Sequence, residues 1–197
     1  MKDVPLFPIN TVLFTEGLLS LRIFEPRYLD MVSECMRMDA GFCVCLLRQG
    51  NEAGTPADCY ETGTYARIVD WNPLDNGLLG ITVKGEHRIR ISAIRVRSNG
   101  LLEGDIILVD EAVTDVSEPY RPFSELLYEI ANRHELALAD DMDKFEDACW
   151  VSQRLAELLP FDLSIKQSLL EMDDALRRLD FMRIVLEKIN LDDLTAS

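Results

Sequence analysis

The hydrophobic pattern changes its period once within a dozen residues, LRIFEPRYLDMV at 21–32. Leu19, Leu21 and Ile23 alternate with polar residues, which is typical of a β-strand with one buried face. From Pro26 onward the apolar residues recur at spacings of three and four, which predicts a helix that begins near this proline. Its apolar stripe consists of Tyr28, Leu29, Val32, Cys35 and Met36. The pattern therefore predicts a strand joined directly to a helix at about residues 25–38.

The rest of the first 113 residues has the pattern of β-strands. Val4–Phe14 is interpreted as a first or edge strand, because Pro5 and Pro8 cannot donate to a central ladder. Phe42–Arg48 is apolar at both alternating sets of positions, which predicts a strand buried on both faces. A loop at 49–61 and a turn at 72–77 separate further strands, which are predicted at 62–71, 78–84, 86–97 and 101–113.

The strand at 86–97 has two apolar sets of opposite parity. The first set contains His87, Ile89 and Ile91 and the second Ile94 and Val96, so a bulge near Ser92 and Ala93 is needed to turn both sets inward. The outward set is then a row of arginines: Arg88, Arg90, Arg95 and Arg97. A three-residue turn at 98–100 would place Val96 opposite Leu102 and Arg95 opposite Glu103.

The strand pattern stops after residue 113, and Pro119 and Pro122 suggest a boundary there. Four helices are predicted beyond it, with apolar positions at Phe123, Leu126, Leu127, Ile130 and Leu138 and then at Phe145, Cys149, Ser152, Ala156 and Leu159. Ser164 and Gln167 resemble a capping box for the third helix, and Asp173 or Asp174 is expected to cap a fourth that ends near Asn190. The expectation is an α+β protein with a β-rich subdomain at 1–116 and a helical bundle at 117–197.

The net charge of −15 disfavours nucleic acid as a partner, because an acidic surface repels the phosphate backbone. No apolar run approaches the ~20 residues that cross a bilayer, and the first thirty residues do not resemble a secretory leader. A cytoplasmic location without membrane attachment is therefore expected. Five cysteines without framework spacing are expected to remain reduced.

No sequence motif points to catalysis. The chain has no GxxxxGK[ST] loop, no GxGxxG, no HExxH and no GxSxG. A nucleophilic thiol and a metal site formed by Cys35, Cys43, Cys45 and Cys59 are both disfavoured against buried packing cysteines, since no CxxC or HxxxH spacing supports them. The sequence predicts no enzyme activity and no cofactor.

Seven residues are candidates for binding: Arg22, Glu25, Arg27, Tyr28, Trp71, Arg88 and Arg90. Each has a structural alternative. The arginine row could bind a carboxylate or phosphate, or it could pair with carboxylates such as Glu103 and Asp105. Trp71 could anchor a peptide or close one end of the strand-rich part. Glu25 and Arg27 could contact a ligand or lock the turn between strand and helix.

Three blocks of the sequence resemble the Lon protease N-terminal (Lon substrate-binding) domain family. They are PLFPINTVLF with LRIFEPRYLDMV, then TGTYARIVDW with VKGEHRIRI, and finally LLPFDLSIKQSLLEMDDALRRLDFMRIVLEKI. The family's usual prolines are missing from VLFTEG and LSLRIF, which changes the first loop. The resemblance implies a small PUA-like β-barrel followed by a helical bundle, in the stand-alone bacterial form of the family.

The resemblance also implies a role in substrate recognition and assembly without the ATPase and Ser-Lys peptidase domains. We therefore expect a module that binds a protein or unfolded polypeptide, with no ATPase or peptidase turnover and with possible homo-oligomers. The alternative is a sensor that binds a small ligand or nucleotide through the barrel and the arginine row. RNA binding, by analogy with other PUA-like folds, is disfavoured by the charge.

Overall fold

The computed structural model describes residues 1–49, 58–74, 78–136, 138 and 142–195, with side chains up to residue 188. Within these residues it is a mixed α+β structure with one six-stranded sheet and five α-helices. The strands are β1 (Val4–Ile9), β2 (Leu18–Ile23), β3 (Phe42–Gln49), β4 (Asp58–Pro73), β5 (Leu79–Val96) and β6 (Leu102–Val109). The helices are α1 (Pro26–Met38), α2 (Arg121–Arg133), α3 (Ala148–Leu158), α4 (Leu163–Glu171) and α5 (Ala175–Thr195). The predicted α+β class is confirmed, whereas the PUA-like barrel stays a prediction.

Contacts divide the chain into two compact units. Unit 1 contains residues 1–110 and 162–170, and unit 2 contains residues 111–161 and 171–197. Unit 1 therefore includes most of α4 together with the six strands. The predicted division into 1–116 and 117–197 assigns α4 to the bundle, and it stays a prediction.

β1 is the first strand of the chain, as one of the two predicted alternatives had it, but the other alternative, an edge strand, is wrong. The strand order is β2-β5-β4-β3-β1-β6, with an additional β5–β6 pairing, so β1 lies between two strands rather than at an edge. The prolines are tolerated because β1 has two partners in succession. Its segment Val4–Leu6 pairs with β6 and its segment Leu6–Ile9 pairs with β3, so neither proline has a ladder on both sides. The strand is also shorter than predicted and ends at Ile9.

Two predicted strands are one continuous strand, β5, of 18 residues. Gly85 lies between the two predicted strands, and it allows a close approach of two backbones. A Cβ there would lie 2.4 Å from the carbonyl oxygen of Phe14, so a larger residue would force the chain to shift. The predicted bulge is confirmed by a register shift between Ile91 and Ala93. The predicted pairs Val96–Leu102 and Arg95–Glu103 are also confirmed.

The predicted inward positions of β5 are partly wrong. Ile94 and Val96 are 43% and 56% exposed, and His87 is exposed as well, whereas Arg88 is only 1% exposed. Arg88 has the parity opposite to buried Ile89, and its side chain reaches the backbone of α4. The alternation pattern predicts which residues share a face, but it does not show which part of a face another element covers.

The remaining strand boundaries differ at the loops. The strand β4 begins at Asp58 and runs to Pro73, so it extends into both the predicted loop at 49–61 and the predicted turn at 72–77. Residues 50–57 and 75–77 of those segments lie outside the described residues. The last strand, β6, ends at Val109, four residues before the predicted end.

The apolar stripe of α1 is rotated from the predicted one. Leu29 and Met36 are 37% and 46% exposed, and the buried face consists instead of Arg27, Tyr28, Met31, Val32 and Cys35. This face packs in a core that includes Phe7, Phe42 and Val44. On the opposite face of β3, Cys43 and Cys45 belong to a second core. The strand β3 is thus buried on both faces, as predicted.

The helix α4 begins without the predicted capping box. Ser164 lies inside the helix and not at its cap. The carbonyl of Asp162, the residue before the helix, accepts from the backbone N–H groups of Ile165 and Lys166. The Gln167 side chain instead donates through Nε2 to the Thr62 carbonyl at 3.0 Å. The prediction for α5 is confirmed at its start, because Asp174 Oδ1 accepts from Leu176 N and Arg177 N. The helix runs to Thr195, beyond the predicted end.

In unit 2, α2 ends at Arg133, before Leu138, and α3 begins at Ala148, after Phe145. Asp147 fixes the latter start, since its Oδ1 accepts from Cys149 N at 2.9 Å. Arg178 is 1% exposed and donates to the Met172 carbonyl at 2.8 Å and to Ser152 Oγ at 3.0 Å. It also lies 3.4 Å from Glu111 Oε1. This buried cation holds the start of α5 to α3.

Candidate functional site

A pocket of about 280 Å³ opens beside the junction of β2 and α1, and we call it the β2–α1 pocket. Seven of its ten lining residues are apolar, and the other three are Ser20, Arg22 and Glu25. The full lining consists of Phe7, Pro8, Ile9, Ser20, Leu21, Arg22, Ile23, Phe24, Glu25 and Tyr28. The pocket therefore combines an apolar wall with a few charged and polar groups, which is the usual composition of a binding site.

The junction itself is held by Arg27, which is 7% exposed. Its Nη1 donates to the Gly100 carbonyl at 2.9 Å, and its Nη2 lies 3.0 Å from Glu25 Oε2. The guanidinium carbon lies 4.7 Å from the centre of the Tyr28 ring, within the range of a cation–π contact. Gly100 has a φ of +84°, which a glycine adopts without strain. Arg27 thus ties the first turn of α1 to the β5–β6 turn.

The mouth of the pocket carries the groups that are open to solvent. Phe24 is 59% exposed and Arg22 is exposed, whereas Tyr28 is 7% exposed and packs against Phe7 with ring centroids 4.5 Å apart. An exposed phenylalanine beside an apolar wall is a surface that a partner's apolar side chains can cover. The structure thus brings Arg22, Glu25 and Tyr28 to one pocket.

The other predicted residues lie elsewhere. Trp71 is 55% exposed, and it borders a separate depression of about 200 Å³ that Met36 and Val69 also line. Val69 is displaced at a register shift between Ile68 and Asp70, and it is 54% exposed.

The arginine row does not form one surface. Arg88 is buried and donates through Nη1 to the Leu170 carbonyl at 3.2 Å. Arg90 is exposed. The last two arginines contact carboxylates: Arg95 with Asp3 and Asp105, and Arg97 with Glu34 and Glu103. The described contacts of these two arginines match the structural alternative stated above.

Four of the five thiols have the raised pKa that is typical of buried packing groups. Burial, and then the Glu34 carboxylate, raise the pKa of Cys35 to about 11. Burial also raises the pKa of Cys43 and of Cys149, and a hydrogen bond with Cys59 together with burial raises the pKa of Cys45. All five cysteines are buried and without disulfides. The hydrogen bond with Cys45 lowers the pKa of Cys59 instead. The other four thiols have raised pKa values, and a thiol that stays protonated at neutral pH is a poor nucleophile.

Among the described residues, no group of three or more His, Cys, Asp and Glu side chains is placed to hold a metal ion. The described helices likewise include none with the length and apolar character needed to span a membrane.

The charged residues of the pocket, Arg22 and Glu25, were identified from the sequence, whereas Ser20 and most of the apolar wall were missed. Phe7 and Ile9 belong to β1, and their distance along the chain from α1 concealed the contact. Phe24 could have been recognised from the local sequence, because it is an apolar residue that directly follows Ile23 and breaks the alternation just before the helix cap at Glu25. In the period-two pattern Phe24 falls on the solvent-facing side of the strand, where an apolar residue is unexpected.

Residues 3–188 match the family model of the ATP-dependent protease La (LON) substrate-binding domain. The chain belongs to this family. A crystal structure of a Lon N-terminal domain protein from Xanthomonas campestris is 33% identical, with a TM-score of 0.77, and the match covers 93% of this chain and 98% of that one. The N-terminal domain of Mycobacterium avium complex Lon protease shares the fold at 18% identity, with a TM-score of 0.69 and coverage of 94% and 97%.

Full-length relatives extend well beyond the matched region. The Lon protease of Haemophilus influenzae is 21% identical over an alignment of 194 positions, which covers 94% of this chain and 24% of that protein. Lon protease 1 of Bdellovibrio bacteriovorus is 24% identical over an alignment of 206 positions, which covers 95% of this chain and 25% of that protein. The chain thus spans about a quarter of the length of these curated relatives and matches their substrate-binding domain.

Proposed function

We propose that this Lon substrate-binding domain binds unfolded polypeptide at the β2–α1 pocket. The observation that carries the proposal is the exposed Phe24 at the mouth of a pocket with seven apolar lining residues. Apolar side chains are buried in folded proteins and exposed in unfolded ones, so such a pocket selects for the unfolded state of a partner.

The pre-organised junction supports the same proposal. Arg27 holds Glu25 and Tyr28 in place through contacts with its own chain, so the pocket loses little conformational entropy when a partner binds. Each buried apolar side chain of the partner would contribute roughly 1.5–3 kcal/mol before the entropic cost of ordering the polypeptide.

The proposal includes the finer fold and cellular context. The successive pairings lead from β5 through β4, β3, β1 and β6 back to β5, which supports the PUA-like barrel. We further propose that these 197 residues act without ATPase or peptidase turnover, in the cytoplasm, and without nucleic acid or membrane as a partner. The domain division at residues 116 and 117 and a possible homo-oligomer belong to the same proposal.

The small-ligand sensor is the weaker alternative. It requires arginines directed at a ligand, and the described contacts of Arg95 and Arg97 are with carboxylates of the same chain. The binding proposal also includes a peptide-binding role of Trp71 and ligand-binding roles of Arg88 and Arg90.

The test is a titration of the full chain into a fluorescently labelled, reduced and carboxymethylated polypeptide, followed by anisotropy. The variant Phe24→Ser removes the exposed ring, and it should raise Kd at least ~10-fold because apolar contact area is lost. Since Phe24 is 59% exposed in the folded protein, its melting temperature should change little.

The matched control is Val113→Ser, which removes an apolar side chain that is 80% exposed and lies outside the pocket. This variant should retain the affinity of the wild-type chain. Equal weakening by both substitutions would assign binding to general surface hydrophobicity, and it would contradict the proposed site.

A further inference from the structure

The strand β2 lies at the end of the sheet order and, among the described residues, pairs with β5 alone. Its register with β5 is regular from Leu18↔Lys84 to Ile23↔Leu79. Most edge strands are protected by charges, prolines, bulges or a covering element. The six residues of β2 contain one charged residue, Arg22, and no proline.

The register identifies which backbone groups point away from the sheet. Gly85 N donates to the Gly17 carbonyl at 2.9 Å and the Gly85 carbonyl accepts from Glu16 N at 2.8 Å, so Gly85 directs both backbone groups at the β2 side and has the position of a hydrogen-bonded pair. Because such pairs alternate along an antiparallel ladder, Leu19 and Leu21 also direct their N–H and C=O groups at β5. Leu18, Ser20 and Arg22 therefore direct theirs at the open edge.

The open edge and the β2–α1 pocket are continuous. Ser20, Leu21, Arg22 and Ile23 of β2 line the pocket. An added strand would lie about 4.8 Å from β2. Every second side chain of that strand would then point towards the same face as Leu21 and Ile23, which is the apolar wall of the pocket.

We infer that the pocket receives polypeptide in extended conformation, as an additional strand hydrogen-bonded to the open edge of β2. This inference rests on the proposed function and specifies its binding mode. The backbone of Ser20 provides a donor and an acceptor at the middle of the edge, and these groups recognise any sequence. The pocket adds a preference for apolar residues at alternate positions.

The exposed charge of Arg22 at this edge further restricts the sequence of the partner. Arg22 directs its backbone at the added strand, and its exposed side chain lines the pocket. An acidic residue opposite Arg22 would form a cross-strand pair, and a basic residue there would be repelled. The preferred partner is thus an extended segment that is apolar at alternate positions, contains no proline and carries an acidic residue.

The first experiment uses an eight-residue peptide in which leucine alternates with threonine and one glutamate. Two further versions carry N-methyl groups, one on the leucines and the other on the remaining residues. In a strand these two sets of N–H groups point to opposite edges, so only one set faces β2. One methylated peptide should lose at least ~10-fold in affinity, while the other binds like the parent.

The second experiment changes the protein. Ser20→Pro removes an N–H that points away from β5, a position at which an edge strand tolerates proline. Ser20→Ala removes only the side-chain hydroxyl and is the matched control. The proline variant should bind the parent peptide at least ~10-fold more weakly, and the alanine variant should bind it normally.

The outcomes distinguish a failure of the added strand from a failure of the proposed polypeptide binding. Equal binding of all three peptides would overturn the added strand and leave the polypeptide-binding function intact. Failure of the parent peptide and of the unfolded polypeptide to bind would overturn the proposed function itself. A wild-type dimer that Ser20→Pro converts to a monomer in sedimentation would show that a second copy of the chain occupies the edge, which also contradicts the inference.

Discussion

Arg27 connects three parts of the chain at a point where the sequence suggested either a structural lock or a ligand contact. Its guanidinium bonds to Gly100 and Glu25 and lies over Tyr28, so its donors are directed at its own chain. At 7% exposure, little of the side chain is open to a partner. The geometry favours the lock, and Ser20, Arg22 and Phe24 are the pocket residues exposed to a partner.

Replacement of Arg27 by lysine tests this assignment. Lysine cannot reproduce the planar contacts to both Gly100 and Glu25, so Arg27→Lys should lower the free energy of unfolding by about 1.5–3 kcal/mol. Arg37→Lys, an exposed change in the same helix, is the control and should leave stability within about 0.5 kcal/mol of wild type. Urea unfolding measures both values.

The same variants separate stability from binding. A ligand-contacting role would show as unchanged unfolding in Arg27→Lys and Tyr28→Phe together with weakened retention of polypeptide. Loss of stability with retained binding would remove Arg27 from the site.

Pairing could be predicted for some residues and not for others. The predicted register of Arg95 opposite Glu103 is confirmed, because cross-strand register follows from the length of a turn. The side chains of Arg95 and Arg97 contact Asp105 and Glu103, as in one of the two alternatives for the arginine row. Arg88 belongs to the same alternating pattern but is buried, because α4 returns to the sheet from a position some 80 residues later in the sequence. No local pattern records a covering element that is so distant in the chain.

Two side chains attach the helix α4 to the sheet, one from β5 and one from the helix itself. Arg88 donates to the Leu170 carbonyl near the C-terminus of the helix, where a cation also interacts favourably with the helix dipole. Gln167 donates to the Thr62 carbonyl of β4. The helix is therefore fixed by polar contacts at its middle and its end.

Removal of the Arg88 guanidinium should loosen α4. Arg88→Gln leaves a buried carbonyl of α4 without this donor, and we expect a loss of about 2–4 kcal/mol in the free energy of unfolding. Arg90→Gln, two residues along the same strand and exposed, should cost far less. Hydrogen exchange should show faster exchange of α4 amides in Arg88→Gln only, and equal protection in both variants would contradict this role of Arg88.

The elements were predicted well where one physical signal dominates. The change of period at Pro26, the cap at Asp174 and the bulge after Ile91 all follow from local geometry. The position of β1 and the continuity of β5 depend on which strands pair, and pairing is set by contacts across the whole sheet. The prolines of β1 suggested an edge strand because proline cannot donate to a ladder. The glycine in β5 fell between two predicted strands because glycine usually weakens the interior of a strand.

At the scale of the whole molecule, the family could be named from three long sequence blocks, while the apolar wall of the pocket could not. The blocks are contiguous in the chain, whereas Phe7 and Phe24 meet only in the fold. The acidic balance of −15 fits a module whose binding relies on apolar contact and backbone pairing rather than on phosphate recognition.

The most direct test of the central claim is a titration of isotope-labelled protein with the reduced, carboxymethylated polypeptide, followed by amide NMR shifts. We expect the largest amide shifts at residues 7–9 and 18–28, which contain the pocket and its open edge. Saturable shifts confined to other residues, such as those of α2, or the absence of shifts at polypeptide concentrations up to the millimolar range, would contradict the account.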